Sequence, residues 1–150
     1  MRFKPLILLL VVFFLLAAGC SNHVKIKGKV TFDDGSPLGK GTVCFDSGNY
    51  VATGILSSDG SYVLGSVKQN DGIPRGTYKV YITGAIQYGD TKTNRVPQRM
   101  SDGSVTVQNQ TYPSMHPMID SKFTSSTTTD ITCEVTKSMV YDIKVKPPLN

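Results

Sequence analysis

From Val24 onward, apolar and polar residues alternate with the two-residue period of a half-buried strand. Val24, Ile26, Val30 and Phe32 share one face, and Lys25, Lys27, Lys29 and Thr31 occupy the other. Asp33-Asp34-Gly35-Ser36-Pro37 follows as a turn, where aspartate accepts local hydrogen bonds and glycine permits positive φ. Further strands are predicted at Gly41 to Phe45, with Val43 and Phe45 inward, at Tyr50 to Leu56, and at Ser61 to Val67 beyond the turn Ser58-Asp59-Gly60. Gly72 to Gly76 leads into Thr77 to Thr83, where Tyr78, Val80 and Ile82 share a face. Asp130 to Thr136 and Met139 to Val145 close the series, joined by a tight turn at Lys137-Ser138. With no helical periodicity after residue 23, the expected fold is all-β: a single sandwich of about seven strands over residues 24–146.

Between the strands lies a polar stretch, residues 87–129, predicted to be a long irregular insertion. Within it Ser104 to Gln108 is a candidate short strand, and Ser125 to Thr129 is expected to be extended and exposed. Residues 147–150 form a tail.

The first residues follow a different logic. Met1-Arg2-Phe3-Lys4 is a short positive segment, Pro5 to Leu16 an unbroken apolar run, and Ala17-Ala18-Gly19 a cleavage-type sequence of small residues. Residues 1–19 therefore read as a signal peptide, too short an apolar run for a comfortable span and followed at once by polar Ser21-Asn22-His23. Leu16-Ala17-Ala18-Gly19-Cys20 resembles the bacterial lipobox, with Ala17 where leucine is commonest. That resemblance implies a lipid thioether on Cys20 and acylation, such as by palmitate, of its amino group. Several acyl chains suffice for stable membrane anchoring, leaving 20–23 as a lipidated tether. Ser21 is not the aspartate associated with inner-membrane retention, so an outer-membrane address is expected, facing the periplasm or the exterior.

Composition changes the picture little. The 150 residues carry 16 Lys and Arg against 11 Asp and Glu, a formal charge of +5, and loss of Arg2 and Lys4 with the signal lowers it to +3. The lysines are scattered and alternate with inward positions, as at Lys25, Lys27 and Lys29 or Lys144 and Lys146, so they read first as the solvent face of strands. A patch facing acidic lipid headgroups is the other reading. No aromatics interleave with them as stacking platforms, which argues against nucleic acid.

The order Lys27-Gly28-Lys29-Val30-Thr31, Gly35-x-Pro37-Leu38, Val43-x-Phe45, Asp59-Gly60-x-Tyr62 and Gly76-Thr77-Tyr78-Lys79-Val80 resembles the carboxypeptidase regulatory-like domain, a transthyretin-like or immunoglobulin-like β-sandwich. It is similar in particular to short planctomycete lipoproteins with this domain, which also end in a segment like Ile119 to Phe123 followed by Ile131 to Val135. The resemblance implies a fold and a surface location and no settled activity.

Candidate chemistry is sparse. With only His23 and His116, and the ending Lys146-Pro147-Pro148-Leu149-Asn150, the chain lacks the histidines and Tyr-Arg-Gly-Ser terminus of transthyretin-related hydroxyisourate hydrolases. No nucleophile elbow or zinc-binding helix motif occurs, so no catalytic residue and no cofactor is expected. Asp59, Asp71, Asp120 and Glu134 read as turn or surface residues, and Asp33-Asp34-Gly35 as a turn rather than a calcium loop. Met115-His116-Pro117-Met118 offers soft ligands for copper, or simply packing at the sandwich edge. Cys133 alternates with Ile131 and Val135 and should point inward, whereas Cys44 lies between inward Val43 and Phe45 and should point outward. A disulfide between them would need a bulge, and both states stay open.

The resulting expectation is a membrane-anchored, non-enzymatic interaction or structural module of the cell envelope. Tyr88, Tyr112, Met115, His116 and Met118 are its candidate partner-binding residues. Carbohydrate or cell-wall binding is the alternative, with Tyr50, Tyr81, Tyr88 and Tyr112 as platforms in a chain without tryptophan; soft-metal binding is the second alternative.

Overall fold

The residues that alternate between 24 and 32 form the strand around which the rest of the chain is arranged. The structure, a computed structural model, describes residues 23–66 and 68–149. Residues 1–22, on which the expected signal segment and the expected lipidation of Cys20 fall, lie outside the described residues, as do Val67 and Asn150. The chain is all-β in two layers, and its one helical element among the described residues is a 3-10 turn at Ser121–Phe123.

The first layer has the order β10 (Thr132–Val135), β7 (Gly76–Thr83), β3 (Thr42–Asp46), β4 (Val51–Ile55), all antiparallel. The second is built on β2 (Ile26–Phe32), with antiparallel β5 (Ser61–Val63) on one side. Its other side takes two consecutive parallel segments, β11 (Met139–Val140) and β12 (Ile143–Val145). A short pair, β1 (His23–Val24) with β6 (Ile73–Pro74), joins the chain entry to the start of β7, so His23 belongs to the fold and not to the tether. The turn at Lys137-Ser138 joins β10 to β11 but crosses from one layer to the other, because β10 pairs with β7 and β11 with β2.

Inward positions match the period-2 reading. Ile26, Val30, Val43, Phe45 and Val80 are fully buried, with Tyr78 and Ile82 nearly so. Phe45 is the bridge between layers, its ring 6.0 Å from Tyr78 in its own sheet and 6.5 and 5.9 Å from Tyr62 and Tyr141 opposite. Tilted and edge-on aromatic pairs of this kind contribute about 0.5–1.5 kcal/mol each beyond area burial. Above Gly28 the two neighbours of β2 close together: the Tyr62 hydroxyl donates to the Tyr141 carbonyl oxygen at 2.6 Å.

Three turns are built alike. In Asp34-Gly35-Ser36, Asp59-Gly60-Ser61 and Asp102-Gly103-Ser104, the aspartate Oδ1 accepts from both the serine N–H and its hydroxyl. The intervening glycines have φ of 86°, 78° and 85°, which glycine adopts without steric cost.

Two expectations for the stretch 87–129 are corrected. The irregular insertion is instead a long antiparallel hairpin, β8 (Ile86–Arg99) and β9 (Val105–Pro117), closed by the Asp102-Gly103-Ser104 turn. The candidate strand Ser104 to Gln108 overlaps the start of β9, but alternation did not reveal the hairpin because both faces of the ribbon meet solvent, and burial on one face is what produces an apolar period. Residues 125–129 are not extended and exposed: Thr128 and Thr129 N–H donate to the Ser125 carbonyl, and Thr129 is buried with its hydroxyl donating to Val80 O at 2.7 Å.

Register fixes which ends of the sandwich coincide. Gly76 of β7 lies beside Val135, next to the β1–β6 pair where the described chain enters. Thr83, at the other end of β7, lies beside Thr42, which in turn lies beside Ile55. The β8–β9 ribbon springs from that far end, with Met118 N–H donating to Ala85 O at its base. Eight residues of β7, about 26 Å of strand, separate the entry from the base of the ribbon.

Gly28 should be the least replaceable residue of β2. A Cβ there would meet Tyr141 O at 1.9 Å and the Tyr62 ring at 3.2 Å. Gly28→Ala is expected to destabilise the chain by about 3 kcal/mol, read as a lowered unfolding midpoint in urea, whereas Gly35→Ala, where the space is open, should cost less.

Candidate functional site

The ribbon is the largest part of the chain that the core does not hold. Of β8 and β9, every residue is exposed except half-buried Ile86 and buried Ser114. Its fourteen-residue strand corresponds to about 45 Å. The base is fixed locally: the Lys40 ammonium sits 4.7 Å from the Tyr88 ring centroid.

Facing partners decide which candidate residues meet. A bulge lies between Tyr88 and Thr91, where Gly89 and Asp90 stand against Ser114 alone. Tyr88 lies directly opposite Met115, so these two share a face. Tyr112 lies opposite Lys92 and shares the other face with Ser114 and His116. Ser114 and His116 fold over Gly89, where a Cβ would meet Ser114 Oγ at 2.7 Å and His116 Nε2 at 2.9 Å. His116 Nε2 is 3.2 Å from Ser114 Oγ. The Tyr112 hydroxyl accepts from Asn94 Nδ2 on its own face. Met118 has left the ribbon and packs, half-buried, against the core.

The five residues proposed as one partner-binding loop are therefore split three ways, and the methionine–histidine run does not converge as a metal would require. Among the described residues no group of three or more His, Cys, Asp or Glu side chains gathers. The four tyrosines considered for a sugar are likewise dispersed. Tyr50 packs on the core, Tyr81 is half-buried on the outer face of the first layer, and Tyr88 and Tyr112 face opposite ways.

The cysteines follow strand parity. Cys44 lies opposite Tyr81, and Cys133 opposite Tyr78, so the two thiols are on opposite faces of the same sheet and are not bridged. Cys44 is nonetheless buried on its outer face, with its sulfur 3.8 Å from Thr42 O and 3.9 Å from Thr83 Oγ1. Burial raises both thiol pKa values, that of Cys133 to about 11. They are thus poor nucleophiles, since the thiolate is the reactive form.

The carboxylates are turn groups. Hydrogen bonds from Ser61, and then Lys29 at 3.3 Å, hold Asp59 at about 2. Asp120 accepts from Lys122 N–H at the start of the 3-10 turn, and Asp71 accepts from Ser66 and Lys68 N–H. Glu134 is exposed on β10. At the entry end, an open cleft of about 740 Å³ is lined by Lys25, Ile26 and Lys27 of β2, Gln69 and Asn70, and Met139 of β11.

What the residue-by-residue reading of the sequence missed is the ribbon as a unit. Its signal was present in Asp102-Gly103-Ser104, a third copy of the turn already recognisable at Asp34 and Asp59, flanked by threonine- and valine-rich segments.

No family model matches the chain, and no curated protein does. Among solved structures the chain is similar to a 9R-lipoxygenase from Cyanothece PCC8801, at 12% identity and a TM-score of 0.31. The match covers 85% of this chain and 16% of that one. A likeness this remote carries no functional argument.

Because the folded state holds the Cys133 proton more tightly than the unfolded chain, stability should be unaffected below about pH 9 and should fall as pH rises toward about 11. Buried Tyr62, also raised by desolvation, adds to the loss at higher pH. Unfolding temperature followed across that window should show a shallower decline for Cys133→Ala, and alkylation of Cys44 and Cys133 should require unfolding.

Proposed function

We propose that this protein is a lipid-tethered, non-enzymatic β-sandwich of the cell envelope that presents the β8–β9 ribbon to a partner. The observation that carries the reading is the placement of the ribbon. It is a long hairpin with both faces in solvent, leaving the sandwich at the end opposite the one where the chain enters. Cys20 precedes His23 by three residues, and His23 is paired at the entry end. Lipid on Cys20 would therefore hold that end at the membrane and aim the other end away from it.

The membrane side of this arrangement has suitable chemistry. Lys25 and Lys27 flank the cleft at the entry end, where acidic headgroups would meet them. The outward side offers apolar groups in a polar setting: Val105 and Val107 are 58% and 61% exposed, and Tyr88 and Met115 form an exposed pair near the base. The order of motifs from Lys27 to Val80, with its resemblance to carboxypeptidase regulatory-like domains, supports the sandwich scaffold and its surface location.

Intact mass and membrane fractionation of the full chain test the tether. Lipid mass on Cys20, and loss of membrane association in Cys20→Ala, are expected; an unlipidated, soluble wild type would overturn it. The ribbon is tested separately by replacing residues 92–112 with an Asn-Gly turn between the facing residues Thr91 and Pro113. That variant should keep the unfolding temperature of the sandwich within a few degrees, about 1 kcal/mol or less, and should lose the partners captured from native envelopes. Retention of every partner would refute the role given to the ribbon.

A further inference from the structure

The two free edges of the ribbon differ in chemistry. The β8 edge carries Asp90, Lys92, Arg95, Pro97 and Arg99. Charges and proline are the devices by which exposed edges avoid pairing with other strands. The β9 edge has none of them from Val105 to Tyr112, where the sequence is Val-Thr-Val-Gln-Asn-Gln-Thr-Tyr. These eight residues are rich in β-branched side chains, uncharged and exposed, and among the described residues no strand pairs on their outer side. A two-stranded ribbon with no hydrophobic face against a core is marginal in water, and pairing at its bare edge would add backbone hydrogen bonds that the ribbon alone lacks.

We infer that β9 pairs antiparallel with β9 of a second copy of this chain, giving a four-stranded sheet in the order β8, β9, β9, β8. This inference takes the ribbon as the interaction element, as proposed above, and names its partner. A second copy meets the requirements of this uncharged edge without any further element. A two-fold axis through Gln108 sets Val107 opposite Asn109, Thr106 opposite Gln110, and Val105 opposite Thr111, so no charge meets a charge. Opposed residues then keep a common face, as antiparallel register demands. The charged β8 strands become the outer edges of the enlarged sheet, where they stop further addition and close the assembly at two copies.

The test is the molar mass of the full chain in detergent by light scattering over a dilution series. It compares wild type with Gln108→Lys on the bare edge and Gln98→Lys on the protected one. Both replaced residues are exposed and lie on the same ribbon face, so the two variants add the same charge to the same surface. Wild type and Gln98→Lys should be dimers. Gln108→Lys, which sets two ammonium groups opposite each other at the axis, should raise the dissociation constant by about tenfold or more. A wild type that is monomeric throughout, an assembly larger than a dimer, or a Gln108→Lys variant that dimerises like Gln98→Lys would overturn the inference. Monomeric wild type that still loses its envelope partners on shortening of the ribbon would refute self-pairing alone and leave the ribbon as a binding element for another protein.

Discussion

The hydrogen bond from the Tyr62 hydroxyl to the Tyr141 carbonyl, passing over Gly28, is the contact on which the arrangement of the second layer depends. It joins the two neighbours of β2 above that strand, at the one inward position where no side chain intervenes. β11 and β12 are separate segments because the chain breaks at Tyr141-Asp142 to deliver that carbonyl. Asp142 also turns back, its Oδ1 accepting from Lys29 N–H at 2.9 Å. Tyr141 then reaches Phe45, which touches Tyr78 in the first layer. A substitution at Gly28 thus acts on both layers, although it lies in only one.

This tie has a topological consequence. The first and last strands of the sandwich lie side by side and run parallel, β12 beside the end of β2. The chain therefore enters at one end and leaves at the other, where Lys146 O accepts from Asp120 N–H. The ribbon is inserted between β7 and the 3-10 turn at that same far end, and the chain returns from it with Ile119 and Phe123 buried in the core. The bond from Met118 N–H to Ala85 O closes the base of the ribbon, so the strands of the sandwich continue past it without a break in their pairing.

Legibility in the sequence followed burial. Ile26 and Val30, Val43 and Phe45, and Tyr78, Val80 and Ile82 were readable because each strand has one wet and one dry face, which writes a period of two into the residues. The parity of Cys44 and Cys133 was readable for the same reason. Burial of Cys44 was not, since it arises from Thr83 and Tyr81 beside it in the neighbouring strand, a relation set by register. Of the ribbon, Ser104 to Gln108 was readable as a short strand from Val105 and Val107, but the hairpin as a whole escaped because both of its faces are wet. The grouping of Tyr88, Tyr112, Met115, His116 and Met118 failed on the bulge at Gly89, which one strand's sequence cannot place.

The difference between the two ribbon edges bears on why an exposed hairpin of this length is tolerable at all. An exposed ribbon with two bare edges would add strands without limit, and one with two charged edges would remain a marginal pair of strands. A single bare edge beside a charged one allows one addition and then stops. Apolar residues are placed accordingly: Val105 and Val107 lie on the bare strand, while the opposite positions on β8 are Arg99 and Pro97. Sequence drift alone gives no reason for Lys92, Arg95 and Arg99 to collect on one strand of a hairpin whose faces are equally wet. A requirement to pair on one side and not on the other supplies that reason.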